Sequence, residues 1–167
     1  MKAKTMVGSA RFWIGLMAVL FLLAAATSSW AGASAPDFTL KAVQDGKDYS
    51  LSQYKGKVVL VNFFTFFCGP CRQEMPHLNE MYQELKGQGF QVLGLALAST
   101  PAQLKQLVDQ LHLTYPVLEG NKAVAKAYGN VELVPLTFII DRQGNIVHKI
   151  LGARDKEGFE KLVKPLL

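Results

Sequence analysis

Two cysteines three positions apart are the residues of this sequence whose types and spacing best suit chemistry. Cys68 and Cys71 are the two cysteines among 167 residues, and Gly69-Pro70 separates them. A disulfide between them would close a ring too short to remove much entropy from the unfolded chain, so it would be a poor structural staple. Paired thiols at this spacing instead suit thiol–disulfide exchange, in which one thiolate attacks a disulfide sulfur and the second thiol completes the exchange.

Other chemistries have weaker support in the residues. A zinc site needs four ligands at suitable spacing, and beyond the two cysteines the sequence offers only three scattered histidines. We therefore expect no metal, and nothing in the sequence indicates another cofactor. The formal net charge is +5, but the first thirty positions hold no acid and contain three of the basic residues, Lys2, Lys4 and Arg11. No Lys/Arg cluster suits a phosphate backbone, so we expect no nucleic-acid partner.

The N-terminus has the three parts of an export signal. Its basic residues precede an apolar run at 12–26, and small residues follow in the patterns 29–31 and 31–33. We predict a signal peptide over residues 1–31, or to 33, then a linker at 32–35 and one domain at 36–167. The protein is expected in the periplasm or another extracytoplasmic space, soluble after cleavage. The alternative is an uncut membrane anchor, because residues 27–30 lengthen the apolar run.

Strand-like and helix-like patterns alternate along the predicted domain. One β-hairpin is expected around Asp45-Gly46, from residues 38–43 and 49–51, and another around residues 142–145, from 137–141 and 146–151. Apolar runs predict strands at 58–64, 90–98 and 115–118. Helical spacing predicts helices at 71–86, 101–111 and 121–128, and a last helix that Asp155 caps. This order predicts an α/β fold with a mixed central sheet flanked by helices.

The predicted elements place the first cysteine at a reactive position. Cys68 falls between the strand that ends near Phe64 and the helix that begins near Cys71. Unpaired N–H groups and the positive end of the helix dipole stabilise a thiolate there. Pro70 suits the first helical turn, where its missing N–H costs nothing. We therefore expect Cys68 to be the nucleophile and Cys71 the thiol that resolves the mixed disulfide.

Residues 57–76, KVVLVNFFTFFCGPCRQEMP, resemble the active-site segment of the thioredoxin superfamily, especially its exported TlpA, ResA and CcmG-type branch. Asn62 stands where cytoplasmic thioredoxins usually carry a buried Asp. The pair is followed by Arg72, Glu74 and Pro76, as in C-x-x-C-R-x-E-x-P. Residues 134–141, VPLTFIID, resemble the segment that carries the cis-proline of the family. The resemblance covers residues 35–167.

The resemblance implies a thioredoxin fold with an extra N-terminal β-hairpin and a role for each matching residue. Glu74 is expected to accept the proton of Cys71, and Pro135 is expected to follow a cis peptide bond. Asn62 and Pro76 are structural supports, and the expected substrate-binding residues are Phe67, Gly69, Pro70 and Val134. The implied activity is reduction of disulfides in exported proteins, apocytochrome c among them. The implied electron donor is a membrane thiol-transfer protein, and we expect a monomer.

The sequence also departs from the family pattern and leaves two alternatives open. Phe67 and Phe64-Thr65 replace the usual Trp before the first Cys and the upstream Trp-Ala pair, and Glu132-Leu133 replaces the Gly before the cis-proline motif. One alternative is a peroxiredoxin-like peroxide reductase, because Thr65 lies three residues before Cys68. The Pro of that motif is absent, and Val61 takes its place. The other alternative is a non-catalytic thioredoxin-fold binding module, against which the intact cysteine pair argues.

Overall fold

A six-stranded mixed sheet forms the centre of residues 32–167, the part of the chain that this computed structural model describes. The predicted signal peptide at 1–31 lies outside these residues. The strands of the sheet are β1 Ala33–Ser34, β4 Val58–Phe64, β5 Phe90–Ala96, β6 Val117–Glu119, β7 Leu136–Ile140 and β8 Asn145–Leu151. Across the sheet they lie in the order β1-β8-β7-β4-β5-β6.

The two central strands are buried along their whole length. Every residue of β4 and β5 is buried, which fits their nearly continuous apolar sequences. Strand β4 runs parallel to β5 and antiparallel to β7. Alternate side chains of β4 enter two separate cores: Leu60 and Phe64 lie on one face, and Val61 and Phe63 lie on the other. The predicted mixed sheet covered on both faces is thus confirmed.

Within residues 32–167, four α-helices accompany the sheet, and side chains cap each of them at the N-terminus. They are α1 Gly69–Leu85, α2 Pro101–Leu111, α3 Lys122–Ala127 and α4 Lys156–Val163, capped by Cys68, Thr100, Asn121 and Asp155. Helix α1 begins at Gly69, two residues before the predicted start, and contains the exposed Pro76. None of the helices in residues 32–167 combines the length and hydrophobicity needed to cross a membrane.

The predicted N-terminal hairpin forms a small sheet of its own. Strands β2 Thr39–Lys41 and β3 Asp48–Ser50 pair antiparallel. Gly46 in the connecting turn has a φ of +68°, a left-handed conformation that glycine adopts without a steric cost. A single bridge between Ala42 and Leu118 joins the hairpin to β6. The hairpin therefore covers the β6 edge of the main sheet.

The segment at 32–35, predicted as a linker, contains a strand. Residues Ala33–Ser34 form β1 and pair antiparallel with Ile146 and Asn145 of β8. The Ala35 N–H also donates to the Gly144 carbonyl oxygen at 2.9 Å. A two-residue strand has no periodicity to detect, which is why the sequence pattern did not indicate it. The boundary between the signal peptide and the domain stays a prediction.

Candidate active site

The cysteine pair lies at the carboxyl end of β4, where the chain enters α1. The two sulfurs form a disulfide, and the Cα atoms are 5.3 Å apart. Cys71 is fully buried, whereas Cys68 is only partly buried. The Cys71 backbone N–H donates to Cys68 Sγ at 3.2 Å, which makes Cys68 the cap of the helix. Of the two sulfurs, that of Cys68 is the one a partner molecule can reach.

The start of α1 is electrostatically suited to a negative sulfur. Its first turn contains no acidic residue, and Gly69 and Pro70 occupy the first two helical positions. Both are exposed, so they border the disulfide at the surface. The free N–H groups and the positive dipole end of a 17-residue helix favour an anion at the Cys68 position. This geometry stabilises the thiolate over the thiol.

A proline loop faces the exposed sulfur from the start of β7. The Val134–Pro135 peptide bond is cis, which confirms the prediction for this bond. The Val134 carbonyl oxygen lies 3.8 Å from Cys68 Sγ. Because a disulfide sulfur carries no hydrogen, this approach is a contact rather than a hydrogen bond in the oxidised protein. The Pro135 carbonyl oxygen accepts from the Gly152 N–H at 2.9 Å, which ties the loop to the end of β8.

Glu74 is a buried carboxyl group one helical turn beyond Cys71. Only 1% of its surface is exposed. One carboxyl oxygen accepts from Asn62 Nδ2 at 2.7 Å, and the other accepts from the Arg154 backbone N–H at 3.2 Å. Burial raises the pKa of Glu74 to about 7, and the hydrogen bonds from Asn62 and Arg154 oppose that rise. A carboxyl group in this state exchanges a proton near neutral pH.

Asn62 and Thr137 complete this polar cluster inside the core. They are Cα partners on β4 and β7, and Asn62 Nδ2 also donates to Thr137 Oγ1 at 2.9 Å. Both side chains are fully buried. Sequence reasoning missed Thr137 and the main chain of Arg154. The available signal for Thr137 was one polar residue in an otherwise apolar strand, as for Asn62 in β4.

The two rings before Cys68 have different environments. The Phe66 ring packs against the core, lies 5.7 Å below the Arg72 guanidinium carbon and stands edge-on to the Phe67 ring at 5.1 Å. The Phe66 N–H also donates to Ser99 Oγ at 3.0 Å. Phe67, the residue in the position where the family usually has Trp, is 75% exposed. Phe66 is thus the anchored ring, and Phe67 is the one open to a partner.

Three exposed apolar side chains adjoin, in sequence, the cysteine pair or the elements that position the proline loop. Among residues 32–167, the large hydrophobic side chains that stand exposed are Phe67, Leu133 and Leu151, at 75%, 65% and 62%. Phe67 precedes Cys68, Leu133 precedes Val134, and Leu151 precedes the Gly152 that bonds Pro135. We call these three residues the apolar rim. Leu133 and Leu151 also line a cleft of about 370 Å³.

The fold and the site together define a thioredoxin-fold thiol–disulfide oxidoreductase, and comparison with known proteins agrees. A family model described as Redoxin matches residues 30–164, and the chain belongs to this family. It is 36% identical over 136 residues to the thiol-disulfide oxidoreductase ResA of Geobacillus kaustophilus, with 81% of this chain and 77% of that protein covered. The ResA of Bacillus anthracis is 35% identical over 136 residues, with 81% and 78% covered.

Solved structures give the same result. The crystal structure of a putative thiol:disulfide interchange protein DsbE from Chlorobium tepidum superposes with a TM-score of 0.75 at 32% identity. The superposition covers 81% of this chain and 96% of the chain from Chlorobium tepidum. The chain is therefore an enzyme of the TlpA/ResA/CcmG branch that reduces disulfides through Cys68 and Cys71, and its substrate partners contain thiols.

Proposed function

We propose that this enzyme reduces disulfides in exported proteins, apocytochrome c among them, with a membrane thiol-transfer protein as its electron donor. The observation that carries the proposal is the arrangement of one accessible sulfur at a helix N-terminus, one buried sulfur behind it and one buried acid beside the second. The predicted signal peptide supports an extracytoplasmic location. The resemblance to the ResA and CcmG-type reductases supports the donor and the substrate.

The reaction begins with the reduced pair. The Cys68 thiolate attacks one sulfur of the partner disulfide, so that a Cys68–partner bond forms and the partner's own S–S bond breaks. The released partner thiolate takes up a proton from water. Phe67, Gly69, Pro70 and Val134 border the reacting sulfur and contact the partner segment.

The second step returns the pair to the disulfide state. Cys71 transfers its proton to Glu74 and attacks Cys68 Sγ, which breaks the mixed disulfide and releases the second partner thiolate. Two electrons have then moved from the Cys68–Cys71 pair to the partner. Asn62 holds the Glu74 carboxylate by a 2.7 Å hydrogen bond, and Glu74 lies three residues after Cys71 on the same helix face.

The apolar rim supports a protein partner rather than hydrogen peroxide. Leu133 and Leu151 line one cleft, and exposed apolar surface of this kind marks a site that a protein covers, whereas peroxide needs no such surface. The test compares the oxidation of pre-reduced enzyme by insulin and by hydrogen peroxide at equal concentrations. We expect faster oxidation by insulin, and Cys71→Ser should accumulate a mixed disulfide with the insulin chain. Faster oxidation by peroxide would contradict the proposal.

The predicted location has an independent test. The sequence has two tryptophans, Trp13 and Trp30, and both precede the cleavage sites predicted after Ala31 and after Ala33. A mature enzyme should therefore show no tryptophan emission when excited at 295 nm, and an intact mass shortened by the signal. Tryptophan emission with a full-length mass from the native envelope would show a retained anchor instead.

A further inference from the structure

The polar cluster around Glu74 extends to a tyrosine that the reaction described above does not use. Tyr115 lies in the segment before β6 and is fully buried. Its hydroxyl and Asn62 Oδ1 are the buried side-chain atoms of residues 32–167 without a hydrogen-bond partner. Orphaned buried polar atoms are rare in native proteins and call for an explanation.

The two orphaned atoms lie on the same face of the sheet. Gly94 of β5 is the Cα partner of Asn62, so a side chain at 94 would point to the same side as that of Asn62. A methyl group on Gly94 would meet Tyr115 Cε2 at 3.1 Å, and this carbon is bonded to the one that carries the hydroxyl. The glycine thus admits the hydroxyl end of Tyr115 beside Asn62. Burial raises the pKa of Tyr115, and the negative charge of Glu74 raises it further, so the carboxylate is within electrostatic reach.

We propose that Tyr115 is a positioning residue for Glu74, because its hydroxyl and Asn62 Oδ1 share one buried water that holds Asn62 Nδ2 toward the Glu74 carboxyl group. A buried water requires two to four polar partners, and the two orphaned atoms supply the first two. Tyr115 donates to the water, which donates to Asn62 Oδ1. The proposal rests on the proposed role of Glu74 as the proton acceptor of Cys71.

The orientation of the Asn62 amide decides which form of Glu74 is favoured. With Nδ2 toward Glu74 the amide donates and favours the carboxylate, whereas with Oδ1 toward Glu74 it accepts and favours the protonated acid. Thr137 does not decide between these orientations, because its hydroxyl can donate or accept. The Tyr115 hydroxyl hydrogen has no acceptor but this water, and the hydrogens of the water then need Asn62 Oδ1 as their acceptor. Nδ2 therefore stays toward Glu74, which keeps Glu74 a base near neutral pH.

The other charged or titratable groups near Glu74 could also affect its pKa, and each has its own place or partner. From the central sheet, the neutral Asn62 of β4 donates to Glu74, and the neutral Thr137 of β7 accepts from Asn62. The titratable or charged residues placed near Glu74 are Cys71 on its own helix, Tyr115, and Arg154, whose main chain bonds it; Asp155 and Lys156 follow Arg154 along the chain. The Arg154 side chain is exposed, Asp155 is engaged as the cap of α4, and Lys156 pairs with Glu80 and Glu84.

The experiment follows the resolution step alone. Reduced enzyme is mixed with 5,5′-dithiobis(2-nitrobenzoate), and the second release of thionitrobenzoate reports attack by Cys71 on the Cys68 mixed disulfide. Its rate is measured from pH 5 to 9 in the wild type and in Tyr115→Phe, Glu74→Gln and Tyr128→Phe. Tyr128 is the matched control, since its buried hydroxyl donates to the Pro36 carbonyl oxygen in the opposite core.

We expect Glu74→Gln to lose the inflection near pH 7 and Tyr115→Phe to move it to higher pH by about half a unit to one unit, the size of one net hydrogen bond. Tyr128→Phe should leave the inflection in place. If Glu74→Gln loses the inflection but Tyr115→Phe leaves it unmoved, the role of Tyr115 is wrong and that of Glu74 stands. An inflection that survives in Glu74→Gln overturns both roles.

A second measurement avoids kinetics and uses the oxidised protein. The ¹³C chemical shift of the Glu74 carboxyl group, followed with pH, gives its titration directly in the wild type and in Tyr115→Phe. A higher midpoint in the variant supports the proposal, and equal midpoints contradict it even where the variant is less stable.

Discussion

The two longest helices of residues 32–167 begin with similar residues but are capped in different ways. Helix α2 begins with Pro101, and its Thr100 cap is a complete capping box: Thr100 Oγ1 accepts from Gln103 N–H at 3.3 Å, and Gln103 Oε1 accepts from Thr100 N–H at 2.9 Å. Helix α1 has Pro70 in its first turn, but its cap is the sulfur of Cys68. Both caps accept the N–H of the third helical residue, but the Thr100 cap is an unreactive hydroxyl, whereas the Cys68 cap is the sulfur that carries the chemistry.

The comparison shows that a capping side chain before a first turn with proline stabilises the helix in α2 and supports reactivity in α1. A thiolate at the α1 cap is stabilised by the end groups that the Thr100 hydroxyl satisfies in α2. Replacing the two caps should therefore affect different properties of the protein.

Loss of the Cys68 cap of α1 should have the largest effect on activity. Cys68→Ser should lower insulin reduction by more than about a hundredfold, because the hydroxyl is a far weaker nucleophile than the thiolate. The protein should still fold, since a serine side chain also caps helices well. The measurement is the insulin turbidity assay together with circular dichroism. Retained reduction in a protein without Cys68 would contradict the assigned nucleophile.

The buried acid behind the reactive cap should make stability depend on pH. The pKa of Glu74 is raised from 4.5 to about 7 in the folded protein, so the folded state holds a proton that the unfolded state releases. Its contribution to stability is complete below pH 4.5 and is lost as the pH rises through about 7, by roughly 3 kcal/mol in all.

Urea unfolding of the oxidised protein at several pH values measures this effect, with Glu74→Gln as the reference. The free energy of unfolding of the wild type should fall relative to that of the variant as the pH rises from 4.5 to 7. A difference that is constant with pH would show that Glu74 titrates normally.

The apolar rim should matter only for large partners. Leu133→Ser with Leu151→Ser should raise the KM for insulin about tenfold, because two exposed apolar side chains no longer become buried on docking. Reduction of 2-hydroxyethyl disulfide is the matched control and should be unchanged, since this small molecule does not reach the rim. Equal losses with both substrates would indicate a distorted site rather than a lost docking surface.

The oxygen cap of α2 should have the smallest effect. Thr100→Ala removes one side of the capping box and should lower the free energy of unfolding by about 1 kcal/mol with no change in insulin reduction. Asp155→Ala at the α4 cap is the matched control and should behave alike. A selective loss of activity in Thr100→Ala would mean that α2 participates in the site.

Much of the fold followed from local patterns, whereas the polar cluster did not. The continuous apolar runs predicted β4 and β5, and Asp45-Gly46 predicted the hairpin. The start of α1 was placed two residues late because Gly69-Pro70 carries no apolar periodicity, although both residues are helical. Strand β1 was missed because a pair of residues has no period.

The hydrogen-bond partners of Glu74 could not be predicted from the sequence, for a different reason. Asn62 and Thr137 are 75 residues apart, and Glu74 and Arg154 are 80 apart. Only the strand register and the loop after β8 bring them together. The sequence indicated Glu74 and Asn62 separately through the family resemblance, but neither their hydrogen bond nor the burial that raises the pKa of Glu74 has a local signal.

Alkylation of the reduced protein tests the central claim most directly. Iodoacetamide is added at pH 6, the reaction is quenched at intervals, and peptide mass spectrometry gives the modified fraction of each cysteine. The partly exposed sulfur at the helix N-terminus should react first, so Cys68 should be labelled well before the buried Cys71. Faster labelling of Cys71 would contradict the assignment of nucleophile and resolving thiol.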